Sequence, residues 1–379
     1  TFIILTSAMA KACLVSLALA WCHQLHPALA FLLPHTPQTP VRNQDTRLCA
    51  IGVLARKAKE NAAKKLRESL TPDDPVGALL AAAEQGTLQR RAGTQVYDRL
   101  TQTKALQVVA EYHRKTLSIL RANKVAEYEI PPLALVSREV RDAGAIAFGL
   151  NVDPATGGCS YDDVAAAVAE QKGAEGDYPG PLPVIWCDTV VDEVQLAEAA
   201  ANGAEAVTVT ADAADSESLL RKAAAVYGLE AFVALAKSDD ESEDAFVDRL
   251  KALLAGDVKI ALLQGLGDPH VDLCRRAAEL CRDHHTALVV RVDAMSDQGL
   301  EEAELAWRFR DVGVHAVWVS DVLFKFGAFS GMLFSSAPDS ITSVIKAMRS
   351  KASATFARAS GSFSGKGEGA REYLGDILM

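Results

Sequence analysis

PVIWCDTVVDEVQLAEAAANGAEAVTVT, residues 183–210, decides the fold. Pro183 to Cys187 is a short apolar run after the turn-rich Tyr178-Pro-Gly-Pro-Leu-Pro, and it reads as a buried strand. From Asp192 to Ala201 the apolar residues Val194, Leu196, Ala197 and Ala200 recur at helical spacing, and Asn202-Gly203 stops that helix. Ala206-Val-Thr-Val-Thr210 is the next strand. A strand, a helix and a second strand in so short a span form a β-α-β unit, which implies a parallel sheet.

Outward from this unit the alternation repeats. Strands are predicted at 125–130, 145–151, 183–187, 206–210, 231–236, 258–263, 287–292 and 316–320, each followed by a helix. The helices are predicted near 133–143, 161–171, 191–202, 216–227, 243–254, 270–283, 301–311 and 340–350. Eight such units predict a (β/α)8 TIM barrel over residues 124–351. An open doubly wound sheet would want a Gly-rich turn after its first strand, and Glu129-Ile-Pro-Pro is not one. Residues 48–123 read as a helical N-terminal extension, with helices starting near Gly52 and running over 75–84 and 95–120.

Residues 1–47 read as an address. Met9, Lys11, the apolar Ala12–Trp21 and Ala28-Leu-Ala30 follow the order of a signal peptide with its cleavage site. Phe31 to Arg47 then carries Pro, Thr, His and Arg but one acid, Asp45, as in the two-part presequences that lead into plastids of secondary origin. The expected location is a plastid stroma, and a plain secretory signal is the alternative. Five of the seven cysteines follow Ala30, an odd and scattered set that suits a reducing compartment better than a disulfide framework. Residues 352–379 read as a Ser/Gly/Ala-rich tail ending in Tyr373, Leu374, Ile377 and Leu378, which would dock on a protein partner, fold back or stay unstructured. The formal net charge of −10 leaves no footprint for nucleic acid, and no later apolar run is long enough to span a membrane in the mature chain. No cofactor motif is read. Cys274 and Cys281 are seven apart on one helix, about 10 Å along its axis, too far for one zinc.

The central stretch also carries a resemblance. Leu182-Pro-Val-Ile-Trp-Cys-Asp, with Asp192, Gln195, Glu198, Ala199, Gly203 and Ala204, is similar to indole-3-glycerol-phosphate synthase. That family reads Leu-Pro-Val-Leu-Arg-Lys-Asp-Phe, then Asp-x-x-Gln-x-x-Glu-Ala and Gly-Ala-Asp-Ala. Gly144 to Asp153, Gly157-Gly-Cys-Ser160, Gly228 to Ala236 and Gly313 to Phe324 extend the likeness across the barrel, and Gly52 to Glu60 resembles the family's first helix. The resemblance implies closure of an indole ring on a ribulose phosphate, with loss of CO2 and water. Such chemistry needs a cation beside the substrate carboxylate, a general acid, a carboxylate base and a phosphate cradle.

Position by position, the family pattern is mostly replaced. The first strand should read Ala-Glu-x-Lys, and is assigned to Ala126-Glu127-Tyr128-Glu129, which keeps Glu127 but puts Glu129 at the lysine. The general-acid lysine of the third strand is Cys187, the glutamate of the fifth is Ala234, and Gln264 replaces one amide of the sixth. A thiol, with a pKa of about 8.5, carries no positive charge in either state. Gly265, Ala294, Ser320 and Asp321 stand at the phosphate-binding positions, so a small phosphorylated ligand is the remaining expectation there. Lys237 follows the fifth strand and is a further catalytic candidate beside Glu127 and Gln264, or else a solvated loop lysine. Arg291 and Asp293, two apart on one strand, point either into the lumen or toward a helix. Three functions follow: a catalytically degenerate barrel that binds or scaffolds, an active synthase (a carbon–carbon lyase) with a divergent site, or another phosphate-sugar barrel enzyme.

Overall fold

The structure is a computed structural model that describes residues 53–71, 73–88, 96–103, 105–115, 119–121, 124–126, 130–211, 214–294, 300–324 and 337–350. All of them fall in one compact unit, 45–379. The expected presequence and the tail lie outside the described residues.

Eight parallel strands close into a barrel. They are β1 (Gln107–Tyr112), β2 (Ala147–Asn151), β3 (Val184–Cys187), β4 (Ala206–Thr210), β5 (Glu230–Ala236), β6 (Ile260–Gln264), β7 (Ala287–Val292) and β8 (Ala316–Val319). Each pairs with its sequence neighbour, and β1 with β8 closes the ring through the register Gln107↔Ala316 to Ala110↔Val319. The helices are α1 (Val53–Ser69), α2 (Pro75–Glu84), α3 (Val96–Thr101), α4 (Leu133–Asp142), α5 (Tyr161–Gly173), α6 (Glu193–Ala201), α7 (Ala214–Val226), α8 (Glu243–Leu254), α9 (Val271–Asp283), α10 (Leu300–Asp311) and α11 (Ala337–Arg349). This is the (β/α)8 barrel that the alternation predicts.

Seven of the eight strands lie where the sequence puts them, and the first does not. Residues 107–112, expected inside a long helix over 95–120, form β1. The expected strand at 125–130 is instead represented by Lys124–Ala126, which pairs antiparallel with Ile119–Arg121 outside the barrel. The barrel therefore begins at 107 rather than 124. The physical reason is charge: Glu111 interrupts the apolar run of β1, and its compensating cation sits on β7, far along the chain.

Alternation along the strands divides the core in two. One face of each strand packs on the helices, as Val108, Phe148, Trp186, Val207 and Val233 do. The other face fills the lumen with Val109, Ala147, Ile185, Phe232, Ile260, Leu262, Val289 and Trp318. At the N-terminal ends of the strands α3 plugs the lumen with fully buried Val96 and Leu100. The carboxylate of Glu230, the first residue of β5, accepts from Val96 N at 2.8 Å and Tyr97 N at 3.2 Å. That charge meets the positive end of the α3 dipole. The central unit is capped as its sequence asks: the Asp192 side chain and Gln195 form a capping box at the start of α6, and Gly203 ends it at φ 85°.

Candidate functional site

In a barrel of this kind chemistry belongs to the C-terminal strand ends, which here gather Glu111, Asn151, Cys187, Thr210, Ala234, Gln264, Arg291 and Trp318 around one mouth. Glu111 is its centre. Its Oε1 accepts from Asn151 Nδ2 at 3.0 Å and Ser320 Oγ at 3.4 Å; its Oε2 accepts from Trp318 Nε1 at 2.5 Å and Arg291 Nη1 at 3.2 Å. An ionised carboxylate offers about four acceptor sites, so these donors saturate it. Arg291 Nε also donates to Asp293 at 2.9 Å, which settles the direction of that pair: both side chains join the lumen network. Burial opposes the charge of Arg291, but Glu111 and Asp293 outweigh it and hold its pKa above the usual guanidinium range.

The network fills the space. The mouth retains a cavity of about 40 Å³. Small-molecule sites run to roughly 300–1,000 Å³, whereas a single water needs about 10–15 Å³, so this one has room for water and not for a sugar phosphate. Trp318, an indole projecting from β8 into the lumen, lines this cavity and donates its N–H to Glu111. Cys187 is buried, and burial together with Glu111 pushes its thiol well above its ordinary pKa, so it stays neutral.

The Ala-Glu-x-Lys position must be moved. Glu127 and Glu129 lie outside the described residues. The strand that closes the barrel carries Ala110-Glu111-Tyr112, followed by His113, so the Ala-Glu-x pattern of the resemblance also occurs on β1, with His113 as its fourth residue. His113 Nδ1 lies 2.7 Å from the Lys115 carbonyl, and its Nε2 lies 2.7 Å from Asp321 Oδ1 in an ion-pair contact not aligned as a hydrogen bond. Burial lowers the imidazole pKa, but Asp321 and Glu111 more than offset this and raise it.

The other candidates divide. Cys187, Ala234 and Gln264 line the mouth, and Ser320 joins them through Glu111. Lys237 turns aside, donating to the Ser238 carbonyl at 3.1 Å. Gly265 is at φ 71°, where a Cβ would sit 2.7 Å from the Lys237 carbonyl, so the turn itself asks for glycine. Ala294 packs partly buried against the core. Around the expected phosphate place stand two carboxylates, Asp293 and Asp321, each committed to a cation of the protein. An anion entering there would meet like charge. Among the described residues no group of three or more His, Cys, Asp or Glu is placed to hold a metal.

A second feature adjoins the mouth. Lys59 of α1 reaches across to Asp188, which follows β3, and to Asp153, which follows β2, at 3.5 Å from the latter. Gln195 Nε2 donates to Asp188 at 3.0 Å. Between α1 and the loops after β2 and β3 lies a cleft of about 630 Å³. Sequence reasoning missed Glu111, His113 and Lys59. The signal for the first two was present: Ala-Glu-Tyr occurs twice, at 110–112 and 126–128, and the first copy ends β1 of the barrel.

No family model matches this chain, and no curated protein matches it. Among solved structures, the tryptophan synthase alpha chain from Legionella pneumophila subsp. pneumophila is similar at 12% identity and a TM-score of 0.44, over 67% of this chain and 94% of that one. The fold rests on the closed sheet itself, and nothing about function follows from that likeness. No helix among the described residues is long and apolar enough to cross a membrane.

Proposed function

We propose that this chain is a catalytically inactive barrel related to indole-3-glycerol-phosphate synthase, which binds or scaffolds rather than turns over a sugar phosphate. The observation that carries the reading is the saturated Glu111. A base must offer a lone pair to substrate, and here the lone pairs are held by Asn151, Ser320, Trp318 and Arg291. The residues implied by the resemblance point the same way: His113, Cys187 and Ala234 stand where two lysines and a glutamate are expected. The active-synthase reading keeps one observation in its favour, since Ala110-Glu111 preserves the family's glutamate on β1.

The test is complementation of a strain lacking indole-3-glycerol-phosphate synthase, with turnover measured on the purified full chain. No growth and no indole product are expected. Losing a general acid or base typically costs 10²–10⁴-fold, so loss of both leaves activity near background. His113→Lys with Cys187→Lys and Ala234→Glu is expected to restore little, because Trp318 and Arg291 still fill the mouth. Robust complementation by the unmodified chain overturns the proposal. The plastid location belongs to the same proposal: a fluorescent fusion of residues 9–47 should enter a complex plastid, Phe31→Ala should strand it outside, and secretion of the intact fusion would refute it.

A further inference from the structure

The geometry points to the cleft between α1 and the loops after β2 and β3 as a binding site for a small amphipathic amine: an aromatic or alkyl body carrying one ammonium group that pairs with Glu198. This holds whether or not the barrel mouth is catalytic.

The size is right for a ligand, about 630 Å³, some fifteen times the cavity in the mouth. The walls are mostly apolar, with Ala62 and Leu66 of α1 on one side and Val152 and Pro154 on the other. The Tyr161 ring is 45% exposed, an unusual state for a large aromatic at the start of a helix. It stacks on Trp186 with centroids 5.0 Å apart, so it is held rigidly beside the cleft. Tyrosine faces attract cations as well as apolar surface.

Charge selects the ligand. The cleft is lined by three carboxylates, Asp153, Asp188 and Glu198, against one ammonium, Lys59. Lys59 is engaged with the two aspartates, and among the described residues no cation pairs with Glu198. Glu198 is 5% exposed, and its Oε2 has no hydrogen-bond partner among the described residues. A buried carboxylate oxygen left unpaired is unfavourable, and a bound ammonium removes that cost. An anionic ligand meets net negative charge here and is excluded. Burial, opposed by the Tyr161 hydroxyl and reinforced by Asp188 and Asp74, pushes the Glu198 carboxyl up to about 7. Amine binding is therefore expected to draw a proton off it.

The experiment titrates the full chain with phenethylamine, and with phenethyl alcohol and 3-phenylpropionate as neutral and anionic controls, by calorimetry and ligand-observed NMR. The amine is expected to bind and the phenylpropionate not to. With a carboxyl near 7, affinity at pH 6 should be about tenfold weaker than at pH 8. At pH 6.5 about three-quarters of a proton should be released per amine, read from buffers of different ionisation enthalpy. Glu198→Gln should weaken the amine about tenfold or more at pH 8 and abolish the proton release. Ala62→Phe, an exposed position on α1 that narrows the cleft without touching Glu198, should also lose binding; circular dichroism checks that both variants fold. Equal binding of the amine and the carboxylate, unchanged affinity in Glu198→Gln, or no amine binding by the full chain would each overturn the inference.

Discussion

The two ends of the barrel lumen are sealed by opposite means. At the foot, α3 inserts Val96 and Leu100 among Ile260, Ala287 and Ala316, an apolar plug with one carboxylate capping its helix. At the mouth, a buried ion pair and an indole are knitted together by Glu111. Apolar packing tolerates small losses in proportion to the volume removed. A buried charge network tolerates them badly, since each deletion strands a partner in low dielectric. The foot is thus held by apolar packing, and the mouth by a buried charge network centred on Glu111.

Four substitutions break or sharpen that contrast. Arg291→Met leaves Glu111 buried without its cation and should cost about 3–5 kcal/mol, read by chemical denaturation. Adding Glu111→Gln, which removes the stranded charge but keeps an acceptor for Trp318, should recover about 1–3 kcal/mol of it. At the foot, Leu100→Ala opens a cavity and should cost about 2–4 kcal/mol, with no comparable rescue by a second change. If Leu100→Ala proves more damaging than Arg291→Met, the mouth is not the strained end and the contrast fails. Smaller still, Glu230→Gln should cost about 0.5–2 kcal/mol, because the α3 N–H groups keep an acceptor but lose the charge facing the helix dipole.

How far the sequence could be read follows from the same contrast. Strands β4 and β7 were predicted to the residue, at Ala206–Thr210 and Ala287–Val292, as was α8 at Glu243–Leu254, because each buries a run whose pattern is local. Strand β1 was not legible. Its lumen-facing Glu111 looks wrong for a buried strand until Arg291 is brought beside it, and that partner is set by barrel closure alone. The helix expected over 95–120 is real only in its first part, Val96–Thr101. Lys59 was illegible for a related reason: a lysine on an amphipathic helix reads as solvated, and only the fold brings Asp153 and Asp188 to it.

The finest test of the two ends uses a histidine at each. His113 at the mouth has its pKa raised, because Asp321 and Glu111 outweigh burial. His315, just before β8 at the foot, accepts from Leu288 N at 3.1 Å, and burial with Arg282 lowers its pKa. The signs differ. A raised value means the native state holds the proton more tightly: the mouth's contribution is complete below the unfolded pKa of about 6.5 and is lost as pH rises through the folded value. A lowered value means the opposite: the foot's contribution is complete above about 6.5 and is lost as pH falls through the folded value. In the natural chain the two partly offset near neutrality. Asp321→Asn should uncover the foot, so that melting temperature relative to the natural chain falls most at low pH. His315→Gln should uncover the mouth, with its relative loss greatest at high pH. Glu198 also titrates in this range but is common to all three chains and cancels in the differences. Each shift is expected to be no more than about 4 °C. Difference profiles that slope the same way for both variants would show that the two ends do not carry opposite proton linkage.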